Sequence, residues 1–109
     1  MSRVTRYALA ALGLLAGLLA AGAALPATYR GRDLDGRRYQ ASILNQDHGL
    51  IDNVEVKFHD EHAYVYLRGG WRLVLILQDE EITDPHHIPA DDLRHGITWE
   101  INLKEQIGR

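Results

Sequence analysis

The chain has 109 residues, no cysteine, and twelve basic against fifteen acidic side chains, for a net charge of −3. Without cysteine it has no disulfide framework, no cysteine nucleophile and no lipid-modified cysteine at its amino terminus. The acidic balance opposes the broad cationic footprint that nucleic acid requires.

The first predicted element is a leader. Arg3 and Arg6 stand near the amino terminus with no acidic residue beside them, and residues 8–25 carry no charged or hydrogen-bonding side chain. The run closes on the small residues Ala21-Gly22-Ala23-Ala24. Charge, apolar run and small residues in that order describe a secretory signal peptide over 1–24, cut after Ala23 or Ala24. The competing reading is an uncleaved anchor, because a span needs about 17–25 apolar residues. Ala and Gly dominate the second half of the run and weaken its affinity for hydrocarbon, which favours cleavage. Positive charge before the run sends the remainder across the membrane in either case. Residues 25–109 are therefore expected to be exported, periplasmic or extracellular. Their only membrane attachment would be the leader, anchored in the inner membrane if it is not removed.

Residues 25–109 amount to one small domain, which buries a modest share of its surface and lacks disulfides to compensate. They hold ten basic and fifteen acidic side chains, a net charge of −5. Arg30, Arg32, Arg37 and Arg38 gather near its start, and the acidic residues dominate from position 47 onward.

The domain reads as short runs of period-2 alternation divided by turn signals, the pattern of antiparallel sheet. Residues 28–33 and 38–44 flank Asp35-Gly36, which predicts a hairpin. Residues 45–49 are a loop. Val54, Val56 and Phe58 then share one face. A turn centred on Asp60-Glu61 pairs Phe58 with Ala63, Val56 with Val65 and Val54 with Leu67, all apolar. A two-residue turn at Gly69-Gly70 would pair Val65 with Val74 and Ala63 with Ile76. That register places Tyr64, Tyr66, Leu73 and Leu75 on a second apolar face. Covering both faces calls for a curled or barrel-like sheet, or a partner. Residues 71–77 are predicted to be an inner strand beginning at Trp71. Residues 89–95 predict one short helix, with Asp91 and Asp92 early, Arg94 and His95 late, and Gly96 as the stop. Ile97, Trp99, Ile101 and Leu103 alternate with polar residues in a final strand. The expected fold is all-β and mainly antiparallel, a small barrel-like meander behind a helical, apolar leader.

Candidate chemistry centres on His59-Asp60-Glu61-His62. The register that opposes Phe58 and Ala63 also opposes His59 and His62, and opposed Cβ atoms lie about 4.5–5.5 Å apart. Two imidazoles at that spacing suit one zinc or copper ion, with Asp60 or Glu61 adding oxygen. His86 and His87 are adjacent, so in extended chain only one could join them. His48 and His95 fall in loops. Asp33-Leu34-Asp35-Gly36 fails as a calcium loop, since Arg38 and Leu44 stand where that loop needs glycine and glutamate. Ser42 is the lone serine after the leader and has no nucleophile-elbow setting. Asp79, Glu80, Glu81 and Asp84 offer carboxylates for acid–base work without singling out a pair. Tyr64, Tyr66, Trp71 and Trp99 either line a ligand cavity or belong to the core. No catalytic or cofactor-binding residue stands out. The domain reads as a binding or interaction module for a protein or small-molecule partner. A metal-binding protein using His59 and His62 is the first alternative, and a small carboxylate/histidine hydrolase or isomerase the second.

Overall fold

The computed structural model describes residues 26–108, so the leader reading lies outside the described residues. Nine strands follow in order: β1 (Thr28–Tyr29), β2 (Arg32–Asp33), β3 (Arg38–Asn45), β4 (Gly49–His59), β5 (His62–Tyr66), β6 (Arg72–Leu77), β7 (Glu81–Ile82), β8 (Ile88–Asp92) and β9 (Ile97–Gly108). Six of them close an antiparallel barrel in the order β3-β4-β5-β6-β8-β9, with β9 pairing back onto β3. The other three make a small mixed sheet, β2-β1-β7. Among the described residues no helix is long and apolar enough to cross a membrane.

Alternation dictates the barrel. Along β4, Val54, Val56 and Phe58 are buried between half-exposed Glu55 and Lys57, and along β9 Trp99, Ile101 and Leu103 do the same. Eight strands give an interior just wide enough for side chains or one small ligand, so six give a narrower one. Phe58, Ile43, Leu75, Leu77 and Ile101 fill it without remaining exposure. Any ligand must therefore bind outside the barrel or at its ends.

The wall bends at a bulge. Ala41 pairs with Val54 and Ile43 with Ile51, so Ser42 faces both Asp52 and Asn53. Asn53 takes the left-handed conformation (φ 55°), and its amide donates to Asp52 Oδ1 at 2.9 Å. Such an extra residue sharpens the local twist that closure needs.

The Asp60-Glu61 turn has the expected register: Phe58 opposes Ala63, Val56 opposes Val65, and His59 opposes His62. Both turn residues have positive φ, 47° and 66°. That is the mirror-image turn whose twist matches the flanking strands, built here without glycine.

Four expectations are corrected. The β5–β6 connection contains three residues, Arg68–Gly70, because Leu67 N donates to Trp71 O at 2.8 Å. Val65 consequently opposes Leu73 and Ala63 opposes Leu75. A one-residue slip turns every side chain of a strand to its other face. Leu75 and Leu77 thus point inward, while Val74, Tyr64 and Tyr66 face outward. Trp71 precedes the strand and is 74% exposed.

The predicted helix at 89–95 is instead strand β8 and a tight turn. Ile88, Ala90 and Asp92 are buried while Pro89 is exposed, a period of two rather than 3.6. The helix-like signals serve the turn. Gly96 N donates to Asp92 O at 2.8 Å, and Gly96 has φ 67°.

The hairpin placed at Asp35-Gly36 lies earlier, at Arg30-Gly31, both left-handed, so Thr28 pairs with Asp33 and Tyr29 with Arg32. The segment 28–33 is therefore a two-strand flap, and β3 pairs with β4 and β9 instead.

Neighbouring strands run antiparallel, so successive connections alternate between the two ends of the barrel. The β4–β5 turn and the β6–β8 connection share one end with the flap, where Ala27, Leu34 and Ile82 are buried. The β3–β4, β5–β6 and β8–β9 connections share the other.

Candidate functional site

The flap is held to the barrel end by one carboxylate. Asp35 Oδ1 accepts from Ala27 N at 3.2 Å, and Asp35 Oδ2 accepts from Asp60 N at 3.0 Å. Gly36 N donates to Phe58 O at 2.9 Å and Leu34 N to Ala27 O at 2.8 Å. This pinning leaves a cleft of about 310 Å³ between flap and barrel. Tyr29, Leu34, Tyr39 and Leu103 give it aromatic and apolar lining, His86 gives it an imidazole, and Arg32 and Lys104 give it positive charge, Lys104 sharing its charge with Asp52 at 2.6 Å. Pro85, Glu105 and Gln106 complete it. The β3–β9 ladder shifts register at Arg38/Tyr39 and again at Gln40/Ala41, beside the cleft. Irregular pairing of this kind re-aims side chains at binding sites.

Tyr39 is the hinge of core and cleft. Its ring meets the buried Phe58 edge-on, with centroids 5.8 Å apart. Burial pushes its phenol up from the usual value, against the opposing pull of Arg37 and Arg32. The cleft thus combines a partly dehydrated aromatic surface with positive charge, which suits an apolar body carrying an anionic group.

The histidine turn has a carboxylate beside it from outside the turn. His59 and His62 do oppose each other, on the outer face. The three groups whose ligand atoms lie within 4.8 Å of one another, however, are Asp35, His59 and Asp60. His59 Nε2 is 3.1 Å from Asp60 Oδ2, and His59 Nδ1 is 4.0 Å from Asp35 Oδ2. His62 turns its Nδ1–H to the Asp60 carbonyl at 2.8 Å and stacks on Tyr64. Its Nε2 is then the nitrogen left to bind a cation. Asp35 was not legible as a neighbour of this turn, because 24 residues of chain separate it from His59 and only the flap brings them together.

Three of the remaining histidines bond to side chains beside them. His86 Nδ1 donates to Asn102 Oδ1 at 2.9 Å, and His95 Nδ1 donates to the buried Asp92 at 2.7 Å. His87 Nδ1 donates to Glu100 at 2.8 Å, and this bond, helped by the carboxylate's charge, raises the His87 pKa above its usual value. A raised folded-state value means that this pair's contribution is complete below about pH 6.5 and is lost as pH rises through the folded pKa. Glu100→Gln is expected to bring the His87 titration down toward that value, read from its imidazole resonances across pH. An unchanged midpoint would refute the pairing.

The aromatic set does not converge on one cavity. Tyr64 lies on the outer face beneath the Arg72 guanidinium, 5.5 Å from its ring centre, whereas Trp99 is buried. The carboxylates Asp79, Glu81 and Asp84 line a hollow of only about 100 Å³ with His87. No family model matches the chain, and no curated protein or solved structure matches it either.

Proposed function

We propose that this is an exported, non-enzymatic binding module whose ligand site is the flap–barrel cleft. Export rests on the charge, apolar run and small residues of the leader. The observation that carries the binding reading is the cleft itself, where Tyr29, Tyr39, Leu34 and Leu103 meet Arg32, His86 and Lys104 outside a barrel filled by its own side chains. A small amphiphile with an aromatic or apolar body and a negative head fits that chemistry. Anilinonaphthalene sulfonate, which has both features, is the probe of choice. Its fluorescence should rise on binding the wild type, with at least a roughly tenfold weaker affinity in Arg32→Ala/Lys104→Ala, as expected for losing two charge-assisted contacts. Equal affinity in both proteins would sink the reading.

The grouping of Asp35, His59 and Asp60 favours a second reading, a divalent-cation site. One nitrogen and two oxygens suit zinc with water completing the shell. Calorimetric titration with zinc should give heat that disappears in His59→Ala. Heat retained there but lost in His62→Ala would move the site to the other imidazole.

A further inference from the structure

The end of the barrel opposite the flap carries a pattern that the cleft does not explain. Each of its three connections presents or flanks an exposed apolar side chain: Leu50 beside the β3–β4 turn, Trp71 beside the β5–β6 loop and Leu93 on the β8–β9 turn. They are 63%, 74% and 65% exposed. Leu44, paired with Leu50, and Tyr66, paired with Arg72, extend the same end. Soluble domains seldom gather their large exposed apolar residues in one place without a use for them.

Charge is distributed to match. Arg68 and Arg94 lie in these connections and Arg72 begins β6. No carboxylate pairs with Arg68, Arg72 or Arg94 among the described residues. Asp47 lies in these connections and Asp92, buried and bonded to His95, closes β8 beside them, so this end holds three arginines against two carboxylates. At the opposite end, the β4–β5 turn and the β6–β8 connection carry Asp60, Glu61, Asp79, Glu80, Glu81 and Asp84, offset in part by the arginines of the flap. A domain that is acidic overall therefore holds one end that is cationic and studded with apolar tips.

We propose that this end docks on an anionic phospholipid bilayer, with Trp71 entering the headgroup region and Leu50 and Leu93 beside it. Indole rings settle at the boundary between water and hydrocarbon, and arginines near the surface add electrostatic attraction to anionic lipid. The acidic end would then face away from the negative surface, so repulsion favours the same orientation. This inference is independent of the cleft.

The test uses the full chain and vesicles of phosphatidylglycerol or phosphatidylcholine whose acyl chains carry bromine, a quencher of tryptophan at contact. Residues 1–27 contain no tryptophan, so emission reports on the domain even when the leader holds the chain on both kinds of vesicle. Quenching is expected on phosphatidylglycerol, little on phosphatidylcholine, and none beyond background in Trp71→Phe. Arg68→Gln/Arg72→Gln/Arg94→Gln should weaken the lipid dependence at least about tenfold, and salt should weaken it further. Equal quenching on the two lipids, quenching that survives Trp71→Phe, or no quenching at all would overturn the proposal. So would a concentration-dependent blue shift of Trp71 emission without lipid, which would assign the surface to a second copy of this chain.

Discussion

Leu75→Ala and Val74→Ala, adjacent on β6, are expected to differ by several-fold in cost. Leu75 has no exposure and lies among the largest side chains of the barrel interior, so its truncation leaves a cavity that the surrounding strands cannot close. Such substitutions cost about 2–5 kcal/mol. A domain of this size has a total stability of roughly 4–12 kcal/mol, and each kcal/mol moves its melting temperature by about 4–8 °C. Val74 is 39% exposed on the outer face opposite Tyr64, so its truncation should cost only about 0.5 kcal/mol. Urea unfolding of the two variants checks the register directly. A two-residue turn at Gly69-Gly70 would have put Val74 opposite Val65 on the inner face, and comparable costs for both variants would restore that reading.

Asp35→Ala should release the flap. The substitution removes the acceptor for two backbone amides, those of Ala27 and Asp60, in a part-buried setting. Leaving a buried donor unpaired costs about 1–3 kcal/mol each, and water reaching the site offsets some of it. A loss of about 2–4 kcal/mol follows. Asp35→Asn keeps one acceptor oxygen and should lose about half as much. Hydrogen exchange gives the local signature: the Ala27 and Asp60 amides should exchange faster while those of β5 and β6 stay protected. Unchanged exchange at both amides would show that the flap is held without the carboxylate, by its apolar contacts and by bonds such as Gly36 N to Phe58 O. The cleft depends on this pin, so Asp35→Ala should also weaken the sulfonate probe, although Asp35 does not line the cleft.

The closed antiparallel sheet was legible because β4, β5 and β9 alternate apolar and polar residues over several positions. Around Asp60-Glu61 the alternation on both arms admits a single register, and the structure has it. Around Gly69-Gly70 it does not discriminate, because residues 71–77 are apolar on both faces and either turn length buries something. The hydrogen bond between Leu67 and Trp71 decides it, and that is a tertiary fact. Residues 89–95 misled for a different reason. An acidic start, a basic end and a glycine stop describe one turn of right-handed backbone, which a four-residue hairpin loop also contains. The buried, exposed, buried order of Ile88, Pro89 and Ala90 has no counterpart in the residue types, since all three are apolar and the buried Asp92 is not. The cleft was not legible at all. Tyr29, Tyr39, His86 and Lys104 come from segments far apart in the chain, and no local pattern marks residues that meet only when the barrel closes.

Closure itself orders events in time. Five of the six ladders in the barrel join strands that follow one another with short or modest connections, and hairpins of this kind form in microseconds. The sixth joins β3 to β9, pairing Arg38 with Gly108 and Leu44 with Glu100. Its loop entropy must be met before its contacts contribute, which makes it the slow step. Until β9 arrives, β3 keeps one unpaired edge, and β8 keeps another, each able to recruit a strand from elsewhere. Because β9 follows the other five barrel strands in the chain, those five can pair with one another while the barrel is still open. The lack of disulfides then has a kinetic side: no covalent link traps an incomplete barrel, and the sheet stays pliable until β9 is in place.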